Sequence, residues 1–224
     1  MNLYKLNKQV LSFKNGAEQF LNGLSSNSMD KPQNAFCTVH GRIACTFDQI
    51  KINDEQYDIV LEKNIEESLM RHLERYLLLS GVQVVRQNFN VYFDMEGNGP
   101  LDEGDLSIPQ KKGRLILTKK QLPVNVSDEE FRLFRLKNNI PWFGVDYQPD
   151  EMLLNVSETD FVSYTKGCYL GQEFISKVSS RSKPTWKLVV RPEDECSDEE
   201  KQKMTSKTLD PVTQTVLGFV FVKN

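Results

Sequence analysis

Apolar and polar positions alternate, cluster and break in ways that divide the chain into strands and helices. In 17–24, AEQFLNGL, the residues Ala17, Phe20, Leu21 and Leu24 share one face at helical spacing, and the polar run SSNSMDKPQN ends the helix. AFCTVHGRIACTFDQIKI then reads as two strands around a turn at His40-Gly41, and QYDIVLEK as a third after the NDEQ turn. A long helix is predicted over 64–80, with Asn64 as its cap and Ile65, Leu69, Leu73, Tyr76 and Leu77 as its apolar stripe. Glu66 and Glu67 suit the positive end of its dipole, and Gly81 is placed to stop it.

VQVVRQNFNVYFDM alternates as one or two strands, EGNGPLDEGDLSIPQKKG reads as an exposed polar loop, and RLILTK is strand-like. Ser127 and Glu130 form a capping box opening a helix whose Phe131 and Phe134 face inward. IPWFGVDYQPDEM is irregular and aromatic. Later, TWKLVVRP and TVLGFVFVK are strand-like, separated by an acidic, exposed segment, EDECSDEEKQKM. Strands and helices in mixed order predict an α+β fold, with a small C-terminal β appendage (180–224) after a main region of residues 1–179.

Composition narrows the function. In 224 residues the net charge of −3 argues against a dedicated nucleic-acid binder, which needs clustered Lys and Arg. No apolar run is long enough to span a bilayer, and the first residues lack the apolar core of a signal peptide, so no membrane partner is expected and the cytoplasm is the expected compartment. Cys37, Cys45, Cys168 and Cys196 form no CxxC pair, and His40 and His72 are the only histidines. Free thiols and no tightly bound metal are therefore expected.

The densest stretch is KGCYLGQE, residues 166–173. Gly167 and Gly171 suggest a tightly folded backbone around Cys168, Tyr169 and Leu170. If Gly171-Gln172-Glu173 starts a helix, its amides and the Lys166 charge both favour a reactive thiolate. A nucleophile, half of a metal site and a simple glycine-punctuated turn all fit these residues, and the turn is favoured on composition alone.

KGCYLGQE matches the KGCYxGQE signature of the YgfZ family of folate-binding proteins at every fixed position. AEQFLNGLSSN, VHGRI and FRLFRLKNNIPWFGVD resemble further blocks of that family in the right order, the last placing Arg135, Ile140, Pro141, Gly144 and Asp146 on its pattern. The family is related to the aminomethyltransferase of glycine cleavage, the T protein, and to a mitochondrial iron–sulfur assembly factor. The resemblance implies a T-protein-like fold: ferredoxin-like halves around a central folate channel, then a small β domain, which is abbreviated here.

The resemblance also implies tetrahydrofolate or a derivative as cofactor, and iron–sulfur client or assembly proteins as partners, with an indirect effect on tRNA modification. Cys168 is then the essential thiol, carried with Lys166, Gly167, Tyr169, Gly171, Gln172 and Glu173. Arg135, Trp142, Asp146, Glu173 and Lys177 are the folate-binding candidates, with Phe143 and Tyr169 as further walls.

Departures bear on the reaction. The transferase acidic pair is replaced by Cys45-Thr46, with Asp48 displaced by two residues, and the pterin-reading glutamate falls on Lys137. Asn139 stands for a glycine and Lys177 for an arginine. The first departures disfavour the transferase reaction, while Asn139 and Lys177 leave folate binding open; the expected function is a folate-binding accessory protein for iron–sulfur assembly or repair, as the resemblance implies. A folate-dependent aminomethyl or methyl transferase and a protein-interaction module without folate are the competing readings.

Overall fold

A computed structural model describes residues 1–224 as an α+β fold built on three antiparallel sheets. The predicted meander forms strands β3 (Gln33–Cys37), β4 (Ile43–Asn53) and β5 (Gln56–Glu62). Two N-terminal strands that the sequence pattern did not announce precede it: β1 (Leu3–Leu6) and β2 (Lys8–Lys14). The meander, β2 and β6 (Gln83–Gln87) give a five-stranded sheet of order β3-β4-β5-β2-β6. The second sheet runs β1-β7-β9-β8, with β7 at Asn90–Asp94, β8 at Leu106–Pro109 and β9 at Arg114–Thr118. Thus β8 interrupts the segment expected to be only loop. The chain crosses between the two sheets at Asn7, between β1 and β2.

Helices α1 (Ala17–Leu24) and α2 (Glu66–Ser80) cover one face of the five-stranded sheet. The stripe on α2 is as expected: Ile65, Leu69 and Leu73 are buried with Leu11, Phe13 and Ile59 in the principal core. Its cap differs. Asn64 lies inside a 3₁₀ turn, Lys63–Ile65, and no side chain caps the helix. Acidic side chains Glu66 and Glu67 in the first turn and a left-handed Gly81 at the end remain as its terminal signals.

The other face of that sheet packs on the second sheet through Val10, Val60, Leu6, Val91, Phe93, Leu115 and Leu117. Helix α3 (Asp128–Lys137) closes this smaller core with Phe131. The Ser127–Glu130 capping box is formed as the sequence suggests, and satisfies two backbone donors at the helix start. Phe134 packs on the same core from a half-buried position.

Two one-turn helices, α4 (Leu153–Val156) and α5 (Glu158–Phe161), lead to α6 (Gln172–Lys177), which passes into a π turn over Val178–Ser182. The third sheet has order β10-β12-β11: β10 is Trp186–Pro192, β11 Thr205–Asp210 and β12 Thr215–Lys223. Within the acidic segment lies α7 (Asp198–Lys203), opened by a Ser197–Glu200 capping box. Leu188 and Phe219 of the third sheet enter the principal core. No helix is long and apolar enough to cross a membrane.

Candidate functional site

The candidate residues fall into two places. The first is the 166–173 segment. It lies against α1 and the 38–41 turn: Leu170 N–H donates to the Gly23 carbonyl at 3.2 Å, and Gln172 N–H to the Tyr169 carbonyl at 3.2 Å. Gly171 holds this approach. Its φ is +88°, and a Cβ there would lie 2.5 Å from the Thr38 carbonyl oxygen, so any side chain would need a disfavoured backbone and a displaced turn. Gly41 mirrors it, with φ +66° and the α6 side chains of Ile175 and Phe174 against the place its Cβ would take. Gly167 is different. It is exposed, and a Cβ would meet nothing within 4 Å.

Cys168 is exposed and makes no hydrogen bond. Lys166 is turned into the protein: its Nζ donates to the carbonyls of Ser25 at 2.6 Å and Asn27 at 3.0 Å and lies 5.0 Å from the Tyr169 ring centroid. Burial without a carboxylate partner lowers its pKa to about 8. The lysine thus props the loop, and no hydrogen bond ties it to the thiol. Tyr169 is buried, burial raises its pKa, and its hydroxyl has no partner. Glu173 and Lys177 are exposed on α6.

The second place is interior. Arg135, on α3, is buried and donates from Nη1 to Asp146 Oδ2 at 2.7 Å; Asp146 also accepts from Trp142 N–H at 2.8 Å, Thr205 Oγ1 at 2.8 Å and Ser206 Oγ at 2.5 Å. Asp146 is thereby surrounded by donors and fastens α3, the 140–147 loop and β11. Asn139 adopts φ +49°, the left-handed conformation its place in the pattern anticipates. Lys137 pairs with Asp210 of β11 at 3.0 Å.

Trp142 sits at the centre of this region, half-buried. Three cavities meet at it. The first, about 380 Å³, is bounded by Tyr4, Phe131, Arg132, Arg135, Lys207 and neighbours. The second, about 60 Å³, lies among Leu6, Lys8, Phe93, Phe131, Arg135 and Pro141. The third, about 80 Å³, is more polar and includes Lys8, Gln33, Thr46, Asp48, Phe143 and Tyr147. Trp142 lines all three, and none of residues 166–173 lines any of them. The motif and the Arg135–Trp142–Asp146 group are therefore brought to separate places, with Glu173 and Lys177 on the motif's side.

Sequence reasoning passed over two residues here. Lys8 and Glu62 face each other across β2 and β5, with Lys8 Nζ 2.8 Å from Glu62 Oε1 and 3.9 Å from Asp48 Oδ2. Burial works against the Lys8 ammonium, but the two carboxylates outweigh it and its pKa lies above the ordinary lysine value. Asp48 is raised, first by burial, despite Lys8, Gln110 at 2.8 Å and Gln33 at 3.3 Å. Cys45, beside it, is buried and its thiol pKa is pushed up by burial. Both Lys8 and Glu62 stand at strand ends, where charged residues are commonplace, so no sequence signal marked them. No group of three or more His, Cys, Asp and Glu is arranged to hold a metal ion.

This architecture is that of the aminomethyltransferase fold. The solved structure of glycine cleavage system aminomethyltransferase T from Bartonella henselae superposes with a TM-score of 0.74, covering 99% of this chain and 78% of that one at 13% sequence identity. Among curated proteins, an uncharacterized protein of Haemophilus influenzae is 26% identical over 156 residues, 66% of this chain and 55% of its own length. The mitochondrial iron-sulfur cluster assembly factor IBA57 homolog of Dictyostelium discoideum is 25% identical over 154 residues, 55% of this chain and 38% of that protein. The chain thus spans about half the length of these relatives, or less. No family model matches it.

Proposed function

We propose that the chain is a folate-binding accessory protein acting in iron–sulfur cluster assembly or repair, with Cys168 as its working thiol. The observation that carries the folate half is the line of cavities meeting at Trp142, with cations at one end and a polar, carboxylate-bearing recess at the other. A reduced folate asks for that polarity: aromatic walls, a polar group for the pterin edge and cations for its carboxylate tail. Arg132, Arg135 and Lys207 are the cations lining the larger cavity, Arg135 being paired with Asp146 and Lys207 with Glu193. The similarity to the iron-sulfur assembly factor supports the other half of the reading. The exposed, unbonded Cys168 suits a transient contact with a partner, since one cysteine cannot hold a cluster alone.

A transferase is the second reading, and Asp48 is what favours it, because its carboxylate lines the polar recess. It is the weaker of the two: Asp48 already accepts from Gln33 and Gln110, and Cys168 does not line that recess. Calorimetric titration with tetrahydrofolate and its 5-formyl form tests the folate half. Saturable binding is expected; a flat titration at millimolar ligand overturns both folate readings in favour of an interaction module. Complementation of a deletion strain with Cys168→Ala tests the thiol. Loss of rescue is expected, and full rescue removes Cys168 from the function.

A further inference from the structure

The Trp142 indole is held as a bound ring would be held. Its Nε1–H donates to Glu62 Oε1. The Arg135 guanidinium lies 4.9 Å from its centroid, and the Phe131 ring meets it edge-on at 5.6 Å. Two groups around it are left incomplete. Glu62 uses Oε1 for both the indole and Lys8, while Oε2 accepts no bond from the protein and is open to solvent. Arg135 Nε is buried and has no partner. A buried donor such as Arg135 Nε is seldom left in that state without a reason.

The space around the indole is divided in the same way. The pockets of about 60 and 80 Å³ that the indole lines are each too small for a bicyclic ligand, whose sites run to roughly 300 Å³ or more. Trp142 lines both of them and the 380 Å³ cavity as well, so swinging the indole aside would add the place it vacates to all three.

We propose that the chain fills its own ligand site with Trp142, and that a flat bicyclic ring with two adjacent N–H donors enters by displacing the indole and pairing with Glu62. This deepens the folate reading, on which it rests for the identity of the ring. A pterin edge carries a ring N–H beside an amino group, a parallel pair that matches both oxygens of one carboxylate; indole has a single N–H. The incoming ring therefore gains at Oε2 a bond that Trp142 cannot make, and it keeps the Arg135 face and the Phe131 edge. Lys8, fixed opposite Glu62 in the strand register, holds the carboxylate in place. The cost of displacing Trp142 reduces the apparent affinity of the unmodified chain, as for any ligand whose competent state is a minor one.

The test is calorimetric titration of the full chain and of Trp142→Phe, Trp142→Ala and Trp142→Ala/Glu62→Gln variants with pterin and with indole. The proposal expects pterin to bind Trp142→Ala at least about tenfold tighter than the unmodified chain. Trp142→Phe, which keeps a packed ring and frees Glu62, is expected to gain a few-fold and carries the comparison if the alanine variant fails to fold. Adding Glu62→Gln should remove most of the gain. Equal pterin affinity in all four proteins overturns the proposal, as does an alanine variant that takes up indole but not pterin, the mark of a mere packing void. Intact folate binding with no effect of Trp142 would leave the folate reading standing and this one fallen. No folate binding by the unmodified chain, with Glu62-dependent pterin uptake by Trp142→Ala, would do the reverse.

Discussion

The 166–173 segment and the Trp142 region solve opposite problems. In the segment, side chains with reactive potential lie on the outside, and the backbone carries the fit: Gly171 against Thr38, Leu170 against Gly23, Lys166 onto two carbonyls. In the interior the side chains carry the fit, through Arg135–Asp146, Lys8–Glu62 and the indole between them. A residue-dense motif therefore marks a surface loop, while the residues that shape the cavities are scattered over β1, β2, β4, α3 and the 140–147 loop. Any chemistry that joins the thiol to a bound ring needs a motion or a partner, since no cavity at Trp142 includes Cys168.

Five substitutions break or sharpen this contrast, from the largest effect down. Asp146→Ala leaves the buried Arg135 charge uncompensated and is expected to cost about 3–5 kcal/mol in denaturant unfolding. A loss below about 1 kcal/mol would mean that the guanidinium finds water. Within the motif, Gly171→Ala forces a left-handed φ onto a residue with a Cβ and should cost about 1–3 kcal/mol. Gly167→Ala, with open space around it, should stay within about 0.5 kcal/mol, so equal effects at the two glycines would refute the packing described for Gly171.

Lys166 gives a pH-dependent sign. Its pKa is about 8 in the fold against 10.5 in the unfolded chain, so between those values the unfolded state binds more protons and stability rises with pH. Thermal melting from pH 7.5 to 10.5 should show the unmodified protein gaining on Lys166→Met, and a falling difference would contradict the lowered pKa. Cys168→Ala should leave the melting temperature unchanged, because its thiol is exposed and unbonded; a clear drop would assign it a structural role.

What could be read beforehand follows from how each element is stabilised. The β3–β5 meander alternates and is punctuated by turns, so it was legible, as was α3 through its capping box. Strand β2 was not. KQVLSFK is covered on both faces and carries a buried Ser12 that donates to Asp58 at 2.5 Å, so neither alternation nor polarity marks it. β8 ends in proline at a sheet edge, β11 is broken by an irregularity at Ser206, and α7 has no apolar stripe, only its cap. In the candidate site, Arg135, Trp142 and Asp146 came from a resemblance and do lie together. Glu62 and Lys8 act through a pairing that exists only after β2 is laid beside β5.

That strand has a further consequence, for the order of assembly. β2 leaves the ribosome well before its partners, yet it becomes an inner strand whose two neighbours, β5 and β6, end at residues 62 and 87. β1, just ahead of it, waits for β7, which ends at Asp94. The nascent chain must therefore carry β2 unpaired until β5 is made, and β1 until β7 is made. Such long-range pairings close slowly and leave strand edges exposed while they wait. Aggregation on fast overexpression, relieved by slower synthesis, is the expected behaviour of a protein threaded in this way.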